Sequence, residues 1–90
     1  MNARLYSVAI KRSAEKEMDR FPAPIRERIW KVLLSLEHAP RPAGCKKLSL
    51  LDQYRMRVGK YRILYSVDDA HRLVTVVSVR HRREAYRRRR

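Results

Sequence analysis

The sequence lacks a second cysteine and a long apolar run, which excludes an intramolecular disulfide and a membrane-spanning segment. It also shows no internal repeat. Because Cys45 is the single cysteine, no intramolecular disulfide can form, and a cytoplasmic location is expected. No apolar run approaches the ~20 residues that span a membrane, and the first six residues lack the apolar core of a signal peptide. Ninety residues are enough for one domain with one modest core, so we predict a single domain that spans residues 1–90.

Acidic residues are scarce. Nine of them stand against 23 lysines and arginines, which gives a formal net charge of +14. A chain this small with so much positive charge is expected to bind a polyanion or a strongly acidic partner. Nucleic acid is the first candidate, an acidic protein the second and an anionic membrane the third.

The stretch around Gly59 predicts two β-strands joined by a tight turn. Apolar and polar residues alternate through residues 54–58 and 61–67, as in half-buried strands. Gly59 can take the positive φ that a two-residue turn needs at its first central position. Guanidinium groups gathered on such a hairpin repel one another unless an anion lies among them, and phosphate fits their forked geometry. The arginines concerned are Arg55, Arg57 and Arg62.

Two helices are predicted before this hairpin. The first has apolar residues at spacings of four, four and three within residues 10–21, and Pro22 ends it. The second, residues 24–39, begins with a proline and carries an apolar stripe until Pro40. Because few residues join them, the helices should form an antiparallel hairpin that buries its apolar stripe.

The complete order of elements indicates an α+β fold. A first strand is predicted at residues 4–10, and a last one at 73–79, apolar on both faces as a strand inside a sheet would be. The three strands after the helices should form an antiparallel meander, the first of them antiparallel to the N-terminal strand. The helices should cover one face of this small sheet. Residues 40–44 are a connector, and residues 80–90 are a basic tail.

Two motifs in this order resemble the RelE/ParE superfamily of bacterial toxins from type II toxin–antitoxin operons, and its RelE-like branch in particular. Residues 54–65 are similar to the family's tyrosine–basic–x–basic strand, which is followed by Tyr-Arg-x-x-Tyr. Residues 79–87 are similar to the histidine–arginine–arginine and tyrosine–arginine ending of the RelE branch. The resemblance covers nearly all of the chain.

The resemblance implies a toxin that enters the ribosomal A site and cleaves the mRNA there, without a metal or cofactor. The upstream ribose 2′-hydroxyl would be the nucleophile, and a cyclic phosphate would remain. It also implies a small antitoxin whose acidic or amphipathic segment covers the basic face. By motif position, the catalytic residues would be Arg55, Arg57, Arg62, Arg82 and Tyr86. Further candidates for RNA binding are Lys46, Lys47, Lys60, Arg80, Arg83 and Arg87.

The chain departs from the family at the expected proton acceptor. Arg55 and Arg57 fall where RelE has two strand lysines, and an arginine does not give up its proton in a protein. His81 is the only neighbour of the motif whose ordinary pKa lies near neutrality, so it is the candidate general base. The identity of the base stays open at this point.

Other functions compete with the nuclease. The same fold occurs in ParE-type toxins, which inhibit DNA gyrase without enzymatic activity. ParE-like chains tend to lack the combination of His81, Arg82, Tyr86 and Arg62, so this set favours the nuclease. A general RNA-binding module ranks third, because exposed aromatic residues for base stacking are few. The strand arginines could also be ordinary solvated side chains.

Overall fold

A computed structural model of the chain describes residues 5–48 and 52–83. Within them lie two helices, α1 (Arg12–Asp19) and α2 (Ala23–Ser35). The strands of the described residues are β1 (Ser7–Ile10), β2 (Lys46–Leu48), β3 (Gln53–Val58), β4 (Tyr61–Asp68) and β5 (Leu73–His81). They form one sheet in the order β1-β5-β4-β3-β2.

The α+β class is confirmed, and the sheet differs from expectation at one short strand. The three residues of β2 pair antiparallel with β3, so the meander has four strands where three were predicted. This extra strand adds one chain reversal between the helices and β3. The prediction that strand 54–58 runs antiparallel to the first strand is therefore wrong, because β3 and β1 point the same way. The chain closes the sheet by pairing β1 parallel to β5, so β5 lies inside the sheet as predicted.

Both helices bury their apolar residues against one face of the sheet. The period-2 alternation of the strands directs their apolar side chains to this face. The other face carries the alternate residues of β5, which are only partly buried. The buried core consists of Ala14, Met18, Ile29, Leu33, Leu36, Tyr54, Met56, Val58, Ile63, Tyr65, Val67, Val74, Val76 and Val79.

A polar network joins the connector after α2 to the turn between β4 and β5. Arg41 donates to the two carboxylate oxygens of Asp69 at 3.2 and 2.8 Å, and to the Tyr54 hydroxyl at 2.8 Å. The Tyr6 hydroxyl donates to Asp69 at 2.6 Å. The hydrogen bonds from Arg41 and Tyr6 hold the pKa of Asp69 below its usual value.

We expect acid to weaken this network. Because the folded-state pKa of Asp69 is lowered, its stabilisation is complete above the ordinary value of 3.8 and is lost as the pH falls through the folded-state pKa. The thermal midpoint should therefore fall more steeply below about pH 4 for the parent than for Asp69→Asn. Thermal unfolding followed by circular dichroism checks this, with Asp19→Asn on α1 as the control. Equal acid dependence of the parent and Asp69→Asn would contradict the assignment.

Candidate active site

The hairpin of β3 and β4 organises the candidate site at one end of the sheet. Gly59 has a φ of +59°, so the positive φ expected at the first position of the turn is confirmed. The turn places Arg57 and Arg62 directly opposite each other on neighbouring strands. Cβ atoms of such partners lie about 4.5–5.5 Å apart, so the two side chains leave the sheet side by side.

A cleft of about 110 Å³ opens beside this pair. We call it the arginine cleft, and its lining residues are Arg57, Gly59, Lys60, Tyr61, Arg62 and Arg82. Arg82 is held there because its backbone N–H donates to the Lys60 carbonyl oxygen at 2.8 Å, which extends the β4–β5 pairing past the end of β5. Residues far apart in the chain thus place four cationic side chains around one small volume. Such a volume suits an anion the size of a phosphate group.

A second basic cleft of about 290 Å³ adjoins the arginine cleft and shares Arg57 with it. Lys46 and Arg55, which are cross-strand partners on β2 and β3, contribute its other cations. Arg55 and Arg57 lie two residues apart on one strand, so both point to the same face with about 6.5 Å between their backbones. The two clefts therefore form one continuous basic surface.

The electrostatics of the arginine cleft favour a bound anion. Among residues 5–48 and 52–83, neither Arg57 nor Arg82 forms an ion pair with a carboxylate. Each is a planar fork of donors that fits two oxygens of a phosphate group. An anion bound between them would lower the mutual repulsion of the cationic side chains that line this cleft. A phosphate group that gains negative charge during a reaction would be held more tightly than before it.

His81 lies in a different cleft, of about 390 Å³, between the hairpin and α2. Its ring contacts the Tyr61 ring edge-on, with 5.2 Å between the centroids. The backbone N–H of Arg83 donates to Nδ1 of His81 at 3.1 Å, so the neutral ring carries its proton on Nε2. The lone pair that a neutral ring would use to accept a proton is thereby engaged, which argues against His81 as a general base in this arrangement.

The remaining sequence-predicted residues are dispersed. Lys47 pairs with the buried Tyr54, so it faces the side of the sheet opposite Arg55. Arg80 is the partner of Arg62 across β4 and β5, yet its guanidinium is engaged by Glu17. Arg83 is exposed, and Lys60 lines both the arginine cleft and the cleft of His81. Tyr86 and Arg87 lie outside the described residues.

Glu17 is the residue near the site that sequence reasoning missed. It accepts hydrogen bonds from the backbone of Val79 and from Arg80, 62 and 63 residues further along the chain. Its one sequence signal is its position beside Met18, on the flank of the buried stripe of α1. That position distinguishes Glu17 from the exposed Glu15 only when the side of α1 that faces the sheet is known.

Neither a metal site nor a membrane span was found in the described parts of the chain. No group of three or more histidine, cysteine, aspartate or glutamate side chains in residues 5–48 and 52–83 could hold a metal ion. None of the helices in these ranges is long and apolar enough to cross a membrane. Within these ranges, arginine and lysine side chains supply the charge of the candidate site.

Comparison with known proteins gives concordant matches. The family model described as the ParE toxin of type II toxin–antitoxin systems matches residues 8–86. Toxin RelE of Mycobacterium tuberculosis is 30% identical over 86 residues, which cover 91% of this chain and 87% of that protein. Toxin RelG of the same organism is 29% identical over 85 residues, which cover 92% and 98%. In the crystal structure of its RelBE2 toxin–antitoxin complex, one chain matches with a TM-score of 0.77 and 27% identity, over 87% of this chain and 99% of that chain.

Proposed function

The chain belongs to the ParE toxin family of type II toxin–antitoxin systems, within the RelE/ParE superfamily, and on this premise we propose that it is a ribosome-dependent mRNA endoribonuclease of the RelE type. The observation that carries the proposal is the convergence of Arg57, Arg62 and Arg82 in one phosphate-sized cleft. Two relatives named RelE and RelG, each matched over most of their length, support the RelE branch.

The proposed reaction is an attack of the ribose 2′-hydroxyl on the neighbouring phosphorus atom. The new bond joins the 2′-oxygen to phosphorus, the bond to the 5′-oxygen breaks, and a cyclic phosphate and a 5′-hydroxyl result. The phosphorane formed on the way carries more negative charge than the ground state. Fixed guanidinium groups of Arg62 and Arg82 would stabilise it selectively, which lowers the barrier.

Proton transfer would rely little on the protein in this scheme. Arginine does not act as a base in proteins, and His81 lies in the other cleft, where its Nδ1 accepts the backbone N–H of Arg83. We therefore propose that the 2′-hydroxyl proton passes to water and that the departing 5′-oxygen takes a proton from water, while the arginines carry the catalysis through charge. Tyr86, a candidate by motif position alone, is proposed to stack on the base and align the attack.

The second basic cleft is proposed to hold the neighbouring part of the RNA backbone. Lys46 and Arg55 line it beside Arg57, so a strand bound in the arginine cleft could continue along β3. Phosphate contacts of this kind position a substrate without reading its sequence, and salt weakens them. Lys60 and Arg83 are proposed to add such contacts at the tip of the hairpin and after β5.

A cognate antitoxin is the proposed protein partner. The RelBE2 structure that this chain resembles is a toxin–antitoxin complex, and the net charge of +14 suits an acidic segment. Such a segment, laid across the arginine cleft, would block RNA and neutralise the charge together. A cytoplasmic location, where ribosomes and mRNA are available, follows from the same proposal.

Gyrase inhibition is the second candidate, because the matching family model carries the ParE name. We expect purified toxin to cut mRNA in primer-extension assays with programmed ribosomes, to leave free mRNA intact, and to leave gyrase supercoiling unchanged. The ribosome is expected to be necessary because the arginine cleft supplies positive charge but no general base. Inhibited supercoiling together with intact mRNA would overturn the nuclease and establish the second candidate.

A further inference from the structure

We propose that Glu17 is a positioning residue, which holds the end of β5 so that Arg82 stays in the arginine cleft. The expected effect on cleavage rests on the proposed function of the protein as a nuclease. Its structural premise is independent of activity. The carboxylate of Glu17 joins α1 to the segment that leads from Val79 to Arg82.

The end of β5 loses its neighbouring strand before it reaches the site. β1 pairs with β5 as far as Ile10 opposite Val76, and the N–H of Lys11 makes the last bond, to the Val76 carbonyl at 3.0 Å. The chain then turns into α1. Beyond Val76, the edge of β5 that faced β1 therefore needs another source of hydrogen bonds, since unpaired backbone groups are costly when buried.

Glu17 supplies that source with both of its carboxylate oxygens. Oε1 accepts from the backbone N–H of Val79 at 3.0 Å, and Oε2 accepts from Nε of Arg80 at 2.6 Å. The two side chains are only 23% and 25% exposed, so water screens this pair less than it screens a surface pair. The short distance is typical of a charge-assisted hydrogen bond.

The same contact neutralises the positive charge of Arg80 beside the basic surface. Arg80 lies opposite Arg62, which lies opposite Arg57, so three arginines form one row across the sheet. Like charges at adjacent positions of a sheet destabilise it. Glu17 neutralises Arg80, so this contact lowers the repulsion between Arg80 and the rest of the row.

Arg82 is consequently held from two sides. On one edge its own N–H is bonded to Lys60, and on the other edge Glu17 holds the strand two and three residues earlier. Without Glu17 the segment keeps only the hairpin as an anchor. Misplacement of a catalytic group by about 1 Å can cost about a hundred-fold in rate, so a modest loosening should be measurable.

The test compares Glu17→Gln with Glu15→Gln, an exposed position on the same helix with the same change in charge. In single-turnover cleavage on programmed ribosomes, Glu17→Gln should lower the maximal rate by about tenfold and change the half-saturating toxin concentration by less than about twofold. Glu15→Gln should match the parent. A parental maximal rate for folded Glu17→Gln would overturn the proposal.

Amide hydrogen exchange provides a readout that does not depend on activity. In Glu17→Gln the N–H of Arg82 should exchange about tenfold faster, while core amides such as that of Ile63 keep the parental rate. Unchanged Arg82 exchange would overturn the positioning role even if cleavage were slower. If the parent does not cleave mRNA, the nuclease proposal fails and the exchange result alone decides the role of Glu17.

A second variant distinguishes the proposed positioning role from a general destabilisation of the fold by Glu17→Gln. Arg80→Gln leaves the bond from Val79 to Glu17 in place and removes only the ion pair. It should also raise Arg82 exchange and lower the maximal rate, by less than Glu17→Gln does. Faster exchange of all core amides in Glu17→Gln, with Arg80→Gln at parental values in both assays, would assign Glu17 to the fold alone.

Discussion

Replacing Arg62 or Arg82 with alanine should lower the rate of mRNA cleavage by about a hundred-fold or more. Both side chains line the arginine cleft, and each would lose its stabilisation of the charge that develops on the phosphorane. Arg82 is exposed, so its removal should change the free energy of unfolding by about 0.5 kcal/mol or less. Single-turnover cleavage on programmed ribosomes, beside circular dichroism of each variant, measures both effects.

Arg12→Ala is the matched control for this pair of variants. It removes one exposed arginine from the start of α1, outside both basic clefts, and changes the net charge equally. It should cleave at close to the parental rate. If Arg62→Ala and Arg82→Ala cleaved like Arg12→Ala while folded, the arginine cleft would not be the nuclease site, and the gyrase inhibitor would become the better hypothesis.

Leu33→Ala should lower the free energy of unfolding by about 2–5 kcal/mol. Leu33 is fully buried between α2 and the sheet, so truncation removes apolar contacts and leaves a cavity. Such a loss is a large part of the roughly 5–15 kcal/mol that stabilises a typical domain. Urea unfolding at low temperature, followed by circular dichroism, measures the change.

The next residue on α2 is a control for this substitution. Leu34 is 53% exposed, so Leu34→Ala should change the free energy of unfolding by only about 0.5 kcal/mol. Because both substitutions replace leucine with alanine at neighbouring positions of α2, the comparison separates the effect of burial from that of helix propensity. Equal losses for Leu33→Ala and Leu34→Ala would mean that α2 packs with another face toward the sheet.

The arginine pair of the hairpin could be predicted because its causes are local. Alternation placed Arg57 and Arg62 on one face, and Gly59 fixed the turn that sets them opposite each other. Strand β2 escaped prediction because three residues, two of them lysines, show no periodicity. Its omission produced the error in the direction of β3 and concealed the pairing of Lys46 with Arg55.

The separation of His81 from Arg62 could not be predicted, because the last strand was expected to end at residue 79 and it extends to His81. Neighbouring residues of a strand point to opposite faces, so Arg80, the partner of Arg62, and His81 lie on opposite faces of the sheet. The nearness of His81 to Arg82 in the sequence therefore did not indicate a shared cleft. The contact of Glu17 with Arg80 could not be predicted, because it depends on how α1 docks against the end of β5.

The most direct test of the account concerns the nucleophile on the RNA. Programmed ribosomes would carry either an all-ribose A-site codon or the same codon with a 2′-deoxyribose immediately upstream of the scissile phosphate. The proposed chemistry predicts rapid cleavage of the first substrate, with a cyclic phosphate on the product, and no cleavage at that bond of the second. Equal cleavage of both substrates would contradict attack by the 2′-hydroxyl, and cleavage of neither would contradict the nuclease itself.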